Sequence, residues 1–221
     1  MTLEDLILFV DGEAIVIDKP AGLPVDTPRA GGPSVETRIE ELSLGFARPP
    51  VPMHRLDRDT SGCLLFARNP KARARFQQAF EQGLVRKSYL AVVDGETPGE
   101  EGRIELPLAK FSTASEGWRM VVDDGGKAAV THWRRIGARN GQSLVEFKPE
   151  TGRTHQIRVH AARGLGAPIL GDPVYGQPLE EQPMLLHAWR LVVPRDPRDA
   201  IDVTAPVPDS FGLWLDLLDE A

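Results

Sequence analysis

Short apolar runs separated by turn residues set the pattern of this chain. Residues 6–10 and 13–18 flank Asp11-Gly12, a strong signal for a two-stranded hairpin. The second run ends in Lys19-Pro20-Ala21-Gly22-Leu23-Pro24, which cannot continue a strand and predicts a shaped loop. After a Pro/Gly-rich stretch at 26–33, Ser34 predicts the cap of a short helix reaching about Leu44, with Glu36 in its first turn. Cys63-Leu64-Leu65-Phe66-Ala67 reads as a buried strand. Asn69 as cap, Pro70 at the first position and Gly83 at the stop bracket a helix whose Ala72, Phe76, Ala79 and Phe80 share one face.

Residues 85–93 alternate well enough for a strand that puts Lys87 and Tyr89 on the face of Val85 and Ala91. Further strands are expected near 103–111, 118–123, 127–136 and 143–149, with a last strand pair or strand-plus-turn at 184–193. Thr154 as cap and Gly164 as stop predict a helix of under three turns, too short to stand without docking on a sheet. The Gly/Pro-laden loop 164–176 is apolar enough to pack on the core, and 201–221 ends in a short amphipathic helix. Many short strands with few helices predict an α+β fold. No repeat, heptad or linker divides it, so residues 1–221 are expected to form a single domain.

Composition narrows the class. The 221 residues are 41% hydrophobic and 26% charged, ordinary for a soluble globular protein. No apolar stretch approaches the length of about 18 residues that a membrane span needs, and residues 6–10 are too short for a signal peptide. The one cysteine, Cys63, excludes an internal disulfide and a multi-cysteine metal site, and its apolar surroundings mark it as a buried filler. A cytoplasmic location without membrane contact is the expectation. The net charge of −6 argues against a nucleic-acid partner until its distribution is considered. Residues 55–90 carry eight Lys/Arg against three acids, residues 127–163 eight against two, and the rest of the chain carries −17. Such blocks can build one positive face on an acidic protein.

The charged cluster His54-Arg55-Leu56-Asp57-Arg58-Asp59-Thr60-Ser61-Gly62 sits directly before the buried strand. It is either a functional site at the lip of a rigid sheet or a solvated turn whose Asp and Thr side chains bond their own backbone. Tyr89, taken alone, reads as a packed strand residue with its hydroxyl at the edge. His155 and His160 are five apart and project roughly 140° from each other, so a shared metal is not expected. No HExxH or Cys/His pattern is present either. Asp57-Arg58-Asp59 has the Asp-x-Asp spacing of magnesium-dependent phosphatases, but Pro-Met-His-Arg precedes it where an apolar strand is required. Asp59 is therefore read as a turn former.

Several of these segments occur together in a familiar order. Asp18-Lys19-Pro20-Ala21-Gly22-Leu23, His54-Arg55-Leu56-Asp57 with Thr60-Ser61-Gly62, and Lys87-Ser88-Tyr89 come first. Gly152-Arg153-Thr154-His155-Gln156-Ile157-Arg158-Val159-His160, Gly171-Asp172-Pro173-Val174-Tyr175-Gly176 and Leu186-His187-Ala188 follow. In this series the chain resembles RluA-type RNA pseudouridine synthases across nearly its whole length. The resemblance implies one catalytic domain with a mixed, mostly antiparallel central sheet, flanking helices and a central RNA-binding cleft. It implies Asp57 as the catalytic carboxylate, Arg158 as its guanidinium partner, and Tyr89 stacked on the uracil. Arg55 would fill the space left by the flipped base, Leu186 would form an apolar wall, and His54, Lys87 and His155 would bind substrate. Structured tRNA and/or rRNA would be the partner of a monomer, with neither cofactor nor metal. Because the chain starts almost directly at the first hairpin, it is expected to lack the extra N-terminal S4-like RNA-binding domain of longer members.

Two other readings stay open at this point. An RNA-binding module could keep the fold without the chemistry, although it would have no need of a charge-paired Asp57. A metal-dependent phosphoesterase could use Asp57 and Asp59.

Overall fold

The apolar runs form strands in the computed structural model, which describes residues 1–113, 117–178 and 182–218. In chain order these are β1 (Ile7–Val10), β2 (Ala14–Lys19), β3 (Val51–Pro52), β4 (Ser61–Ala67), β5 (Arg86–Val93) and β6 (Glu101–Glu105). They continue with β7 (Leu108–Thr113), β8 (Gly117–Val122), β9 (Val130–Arg139), β10 (Gln142–Pro149), β11 (Leu186–Arg195) and β12 (Arg198–Thr204). With the helices α1 (Pro70–Glu81) and α2 (Gln156–His160) and several 3-10 turns, the fold is α+β. The chain forms two units, Met1–Lys87 with His187–Pro206, and Ser88–Leu186 with Val207–Ala221.

In the first unit β1 and β2 make the expected hairpin. The Asp11 carboxylate closes it by accepting the N–H groups of Glu13 and Ala14, each at 2.8 Å. β2 pairs antiparallel with β4, β4 runs parallel to β11, and β11 pairs antiparallel with β12. All seven residues of β4 are buried, as its unbroken apolar run predicts. Val16, Cys63 and Leu65 face α1 through Ala72, Phe76 and Ala79. Ile15, Ile17, Leu64 and Phe66 are fully buried on the other side. Each such side chain contributes about 2 kcal/mol of burial. Helix α1 begins as its sequence specifies, with the Asn69 side chain accepting the Ala72 N–H at 2.9 Å, and Gly83 ends it at φ +68°.

In the second unit β5, β10, β9 and β6 form an antiparallel series, and β7 and β8 a separate pair. Asn140 and Gly141, both at positive φ, turn β9 into β10. Its core gathers Val145, Phe147, Trp133, Ile157 and Leu186, joined by Leu165, Ala167 and Ile169 from the apolar loop after α2.

Five expectations are corrected. The strand expected near 103–111 divides into β6 and β7 at Leu106-Pro107, because proline has no N–H for a ladder. Helix α2 does not start at a Thr154 cap: His155 precedes it at φ +52°, and a single π turn, Ala161–Leu165, follows. Gly166, at φ +71°, ends this segment in place of Gly164, where a Cβ would lie 2.7 Å from the Ile104 side chain. The segment from Leu186 is one long strand, and its partner β12 was not foreseen, since only Ile201 and Val203 mark its inner face. Finally, the helices expected after Ser34 and at the C-terminus are 3-10 segments, Glu36–Leu42 and Asp209–Leu217. Ser34 does accept the Thr37 N–H as a cap would, and the last three residues of the closing segment lie outside the described residues.

Gly62, at φ +105°, marks the closest strand approach, where a Cβ would lie 2.3 Å from the Ala188 carbonyl oxygen. Gly62→Ala should lose about 3 kcal/mol of stability or fail to fold, while Gly12→Ala, with open space around it, should stay near wild type. Urea unfolding of the two variants checks this, and equal midpoints would contradict it.

Candidate active site

The loop from β3 to β4 carries His54, Arg55 and Asp57, and its backbone is fixed from two sides. Asp57 opens a turn in which its carbonyl accepts the Thr60 N–H at 3.2 Å. Its side chain is half-buried. Inside the turn, the Arg58 carbonyl accepts the Gly22 N–H at 2.9 Å and the Lys19 ammonium at 3.0 Å. Lys19 is fully buried and also donates to the carbonyls of Pro20 and Leu23, each at 2.8 Å. All three ammonium protons thus find acceptors, the condition under which a buried charge is tolerated. Burial pushes its pKa down to about 8, against the opposing pull of the Asp59, Asp57 and Asp18 carboxylates.

His54 holds the loop from the other side. Its Nε2 accepts the Leu65 N–H at 3.1 Å, so the ring proton is on Nδ1, and the ring lies 5.4 Å from Phe80. Burial, helped by the nearby Lys87 charge, pushes its pKa down to about 3, so the imidazole is neutral. Lys87, half-buried, is itself held below its ordinary pKa by burial. Arg55 points outward and pairs with Asp26 at 2.5 Å, with both side chains more than half exposed. Such an exposed pair adds little stability and can open at low cost. Ser61 and His187 meet at 2.8 Å beneath the strand ends.

In the second unit, Tyr89 pairs across from Phe147 and packs half-buried against the cluster that contains Leu186 and Ile157. Helix α2 brings Arg158 and His155 into a polar network that replaces the missing helical length. Gln156 accepts from Thr151 Oγ1 and Arg153 N, and donates to Val130 O and Thr131 Oγ1. His160 donates through Nε2 to the Leu106 carbonyl, at 3.1 Å, and accepts from Thr131 at 2.9 Å. Arg158 is buried and donates Nε and Nη2 to the two oxygens of Asp172, both at 2.8 Å. Burial pushes the Asp172 carboxyl up, but the Arg158 fork and the N–H groups of Val174 and Tyr175 outweigh it and hold the group below its ordinary value. The Tyr175 hydroxyl accepts the Met120 N–H at 2.9 Å, leaving its own proton for His155 Nδ1 at 2.8 Å.

Residues 13–163 match a family model described as RNA pseudouridylate synthase. The chain is 54% identical over 207 residues to a Zymomonas mobilis protein named as an uncharacterized RNA pseudouridine synthase, covering 93% of this chain and 94% of that one. The chain belongs to the RNA pseudouridylate synthase family. Ribosomal large subunit pseudouridine synthase D of the same organism is 39% identical over 70% of this chain, which spans half of that protein's length. Among solved structures, human RNA pseudouridylate synthase domain containing 4 superposes with a TM-score of 0.81 at 26% identity, covering 98% of this chain and 94% of that one. As a member of this family the chain is an isomerase that converts uridine to pseudouridine in RNA.

Membership bears out the RluA-type resemblance and replaces the phosphoesterase and binding-module readings. Among the described residues no group of three or more His, Cys, Asp or Glu side chains could hold a metal, and no helix is long and apolar enough to cross a membrane. Two residues with clear structural roles went without one in the sequence reading, Lys19 and Asp172. Both stood inside quoted motifs, Lys19-Pro20 and Gly171-Asp172-Pro173, where a charged side chain beside a rigid turn was the available signal.

Lys19→Met should cost about 3 kcal/mol, because three carbonyls lose their donor. Its depressed pKa adds a pH signature. Between pH 8 and 10.5 the folded state binds fewer protons than the unfolded one, so stability rises with pH. The advantage of wild type over Lys19→Met should therefore grow by about 2 kcal/mol from about pH 7.5 to 9.5. Urea unfolding at both pH values measures it, and a flat difference would rule out a buried ammonium of lowered pKa.

Proposed function

We propose that the chain isomerises specific uridines of tRNA and/or rRNA, acting in the cytoplasm as a monomer with residues 1–221 forming a single catalytic domain. Asp57 is the catalytic carboxylate, Arg158 its guanidinium partner and Tyr89 the aromatic platform for the uracil. The observation that carries this reading is the turn at Asp57, whose backbone is tied down by a buried lysine and a neutral histidine. A turn that served only to reverse the chain would need neither.

Isomerisation breaks the N1–C1′ bond, turns the base, joins C5 to C1′ and releases the C5 hydrogen as a proton while N1 takes one up, with no net redox change. A carboxylate at C1′ can act as nucleophile, giving a covalent glycosyl ester, or as base on a route through a glycal. Either way it must be ionised and held still, and a guanidinium is the natural partner because it never deprotonates. In this reading Asp172 orients Arg158 by gripping its Nε and Nη2, so that the planar fork is fixed before substrate arrives. The target uridine leaves the RNA stack at a cost of a few kcal/mol. Arg55, whose exposed pair with Asp26 is easily opened, fills the vacated space. Leu186 is the apolar wall beneath Tyr89. His54, which also supports the loop, binds substrate together with Lys87 and His155.

Asp57→Asn should abolish pseudouridine formation while leaving RNA affinity within about threefold of wild type. Pseudouridine mapping of tRNA and rRNA from cells lacking the gene, complemented with either form, reads this directly, and signals restored by the variant would reject Asp57. Arg158→Lys should fall at least about 100-fold in tritium release from C5-labelled RNA, since an ammonium cannot make the paired bonds of the fork. Near-normal turnover would remove Arg158 from the site.

A further inference from the structure

The β7–β8 hairpin carries chemistry that the assignments above leave unused. Trp118 and Phe111 are 49% and 43% exposed, although large aromatic side chains are favoured in the core. Each has a cation over its ring: Lys110 Nζ lies 5.2 Å from the Trp118 ring centre, and the Arg119 guanidinium 5.5 Å from that of Phe111. The two strands contain no acidic residue. By register, Lys110, Met120 and Trp118 share one face and Phe111 and Arg119 the other. The Trp118 face is continuous with the network around Arg158. Its ring stacks, tilted by 30°, at 5.1 Å from His155, which meets Tyr175 edge-on at 5.6 Å. Arg158 in turn lies 5.2 Å over the Tyr175 ring. His155 reaches this position through its left-handed backbone, at φ +52°.

We propose that Trp118, backed by His155 and flanked by Lys110, is a stacking platform for an unpaired base of the substrate RNA next to the target uridine. The inference rests on the proposal that structured tRNA or rRNA is the substrate. A half-exposed indole under a flexible ammonium offers what a single-stranded nucleotide needs, an apolar plane for the base once Lys110 swings off the ring, and a positive charge for its phosphate. Every base has a π-face, so the platform tolerates sequence variation. What it selects is RNA whose flanking nucleotide is free to leave its helix. The nearness to the target uridine rests on the proposed role of Arg158, to which Tyr175 and His155 connect Trp118 by successive contacts of 5.2, 5.6 and 5.1 Å. This hairpin would thus contribute to the choice among uridines by testing the pairing of their neighbours.

The test uses the full chain and two fluorescein-labelled probes, a single-stranded RNA of about 12 nucleotides and a blunt duplex of the same sequence. Trp118→Ala should weaken binding of the single strand about tenfold and of the duplex less than about twofold, and Trp118→Phe should recover most of the loss. Lys110→Gln should weaken both probes by a few-fold and flatten the salt dependence. Tritium release from C5-labelled transcripts of tRNA and rRNA should show the Trp118→Ala loss in KM more than in kcat. Unchanged single-strand binding by Trp118→Ala, or equal losses on both probes, would overturn the platform. If wild type releases tritium while Trp118→Ala matches it in binding and KM, this inference alone fails. If wild type neither binds nor turns over these RNAs, the proposed substrate class falls and the platform with it.

Discussion

One buried ammonium organises the loop that carries the proposed catalytic carboxylate. Lys19 has no solvent contact, and its three protons are matched by three carbonyl oxygens drawn from two loops. A charge placed there without them would cost several kcal/mol. With them, the same charge becomes a clamp whose geometry leaves little freedom to residues 20–23 or to the turn after Asp57. Residues 20–24 are rich in proline and glycine, and neither they nor residues 53–60 belong to a strand, so the shape of both loops depends on this point of attachment. Three carboxylates stand close enough to influence it, Asp57 among them.

The second unit meets a similar difficulty with different means. A five-residue helix has no stability of its own, yet α2 presents Arg158 with its guanidinium fixed by two short bonds. The helix is held by side chains in place of length. Gln156 and His160 bond the backbone of β9 and of the segment before β7, and Asp172 arrives from the apolar loop that follows. In both units a charged group sits in a dry environment, Lys19 with all three protons bonded and Arg158 with its Nε and Nη2 gripped by Asp172. Such an arrangement favours rigidity over net stability, which suits groups that must be positioned before the substrate binds.

The proposed outer elements look different. Arg55 is held by an exposed pair, and Trp118 stands half in solvent on a two-stranded hairpin. Rigid inner residues with adaptable outer ones match a substrate that must be partly unfolded before its target base can enter. The inner set would serve chemistry common to the family, while the hairpin would vary with the RNA.

Much of this was legible in the residues. The Asp11-Gly12 hairpin, the unbroken run of β4, the Asn69-Pro70 start and Gly83 stop of α1, and the order of motifs that mark the family all follow from local preferences over short windows. The errors share a physical cause. Thr154 and Gly164 are good helix signals, but the ends of α2 were decided by His155 reaching Tyr175 and by Ile104 occupying the space beside Gly164. Strand β12 has only two inward apolar residues, and its place depends on the edge that β11 offers. Lys19 and Asp172 acquire their roles from partners 39 and 14 residues away. The sequence by itself determined the elements with strong local signals and the reaction class that the motif order identifies. The tertiary structure alone decided which charges are buried and which groups satisfy them, because a hydrogen bond in a dry interior depends on distance in space and leaves no periodic trace along the chain.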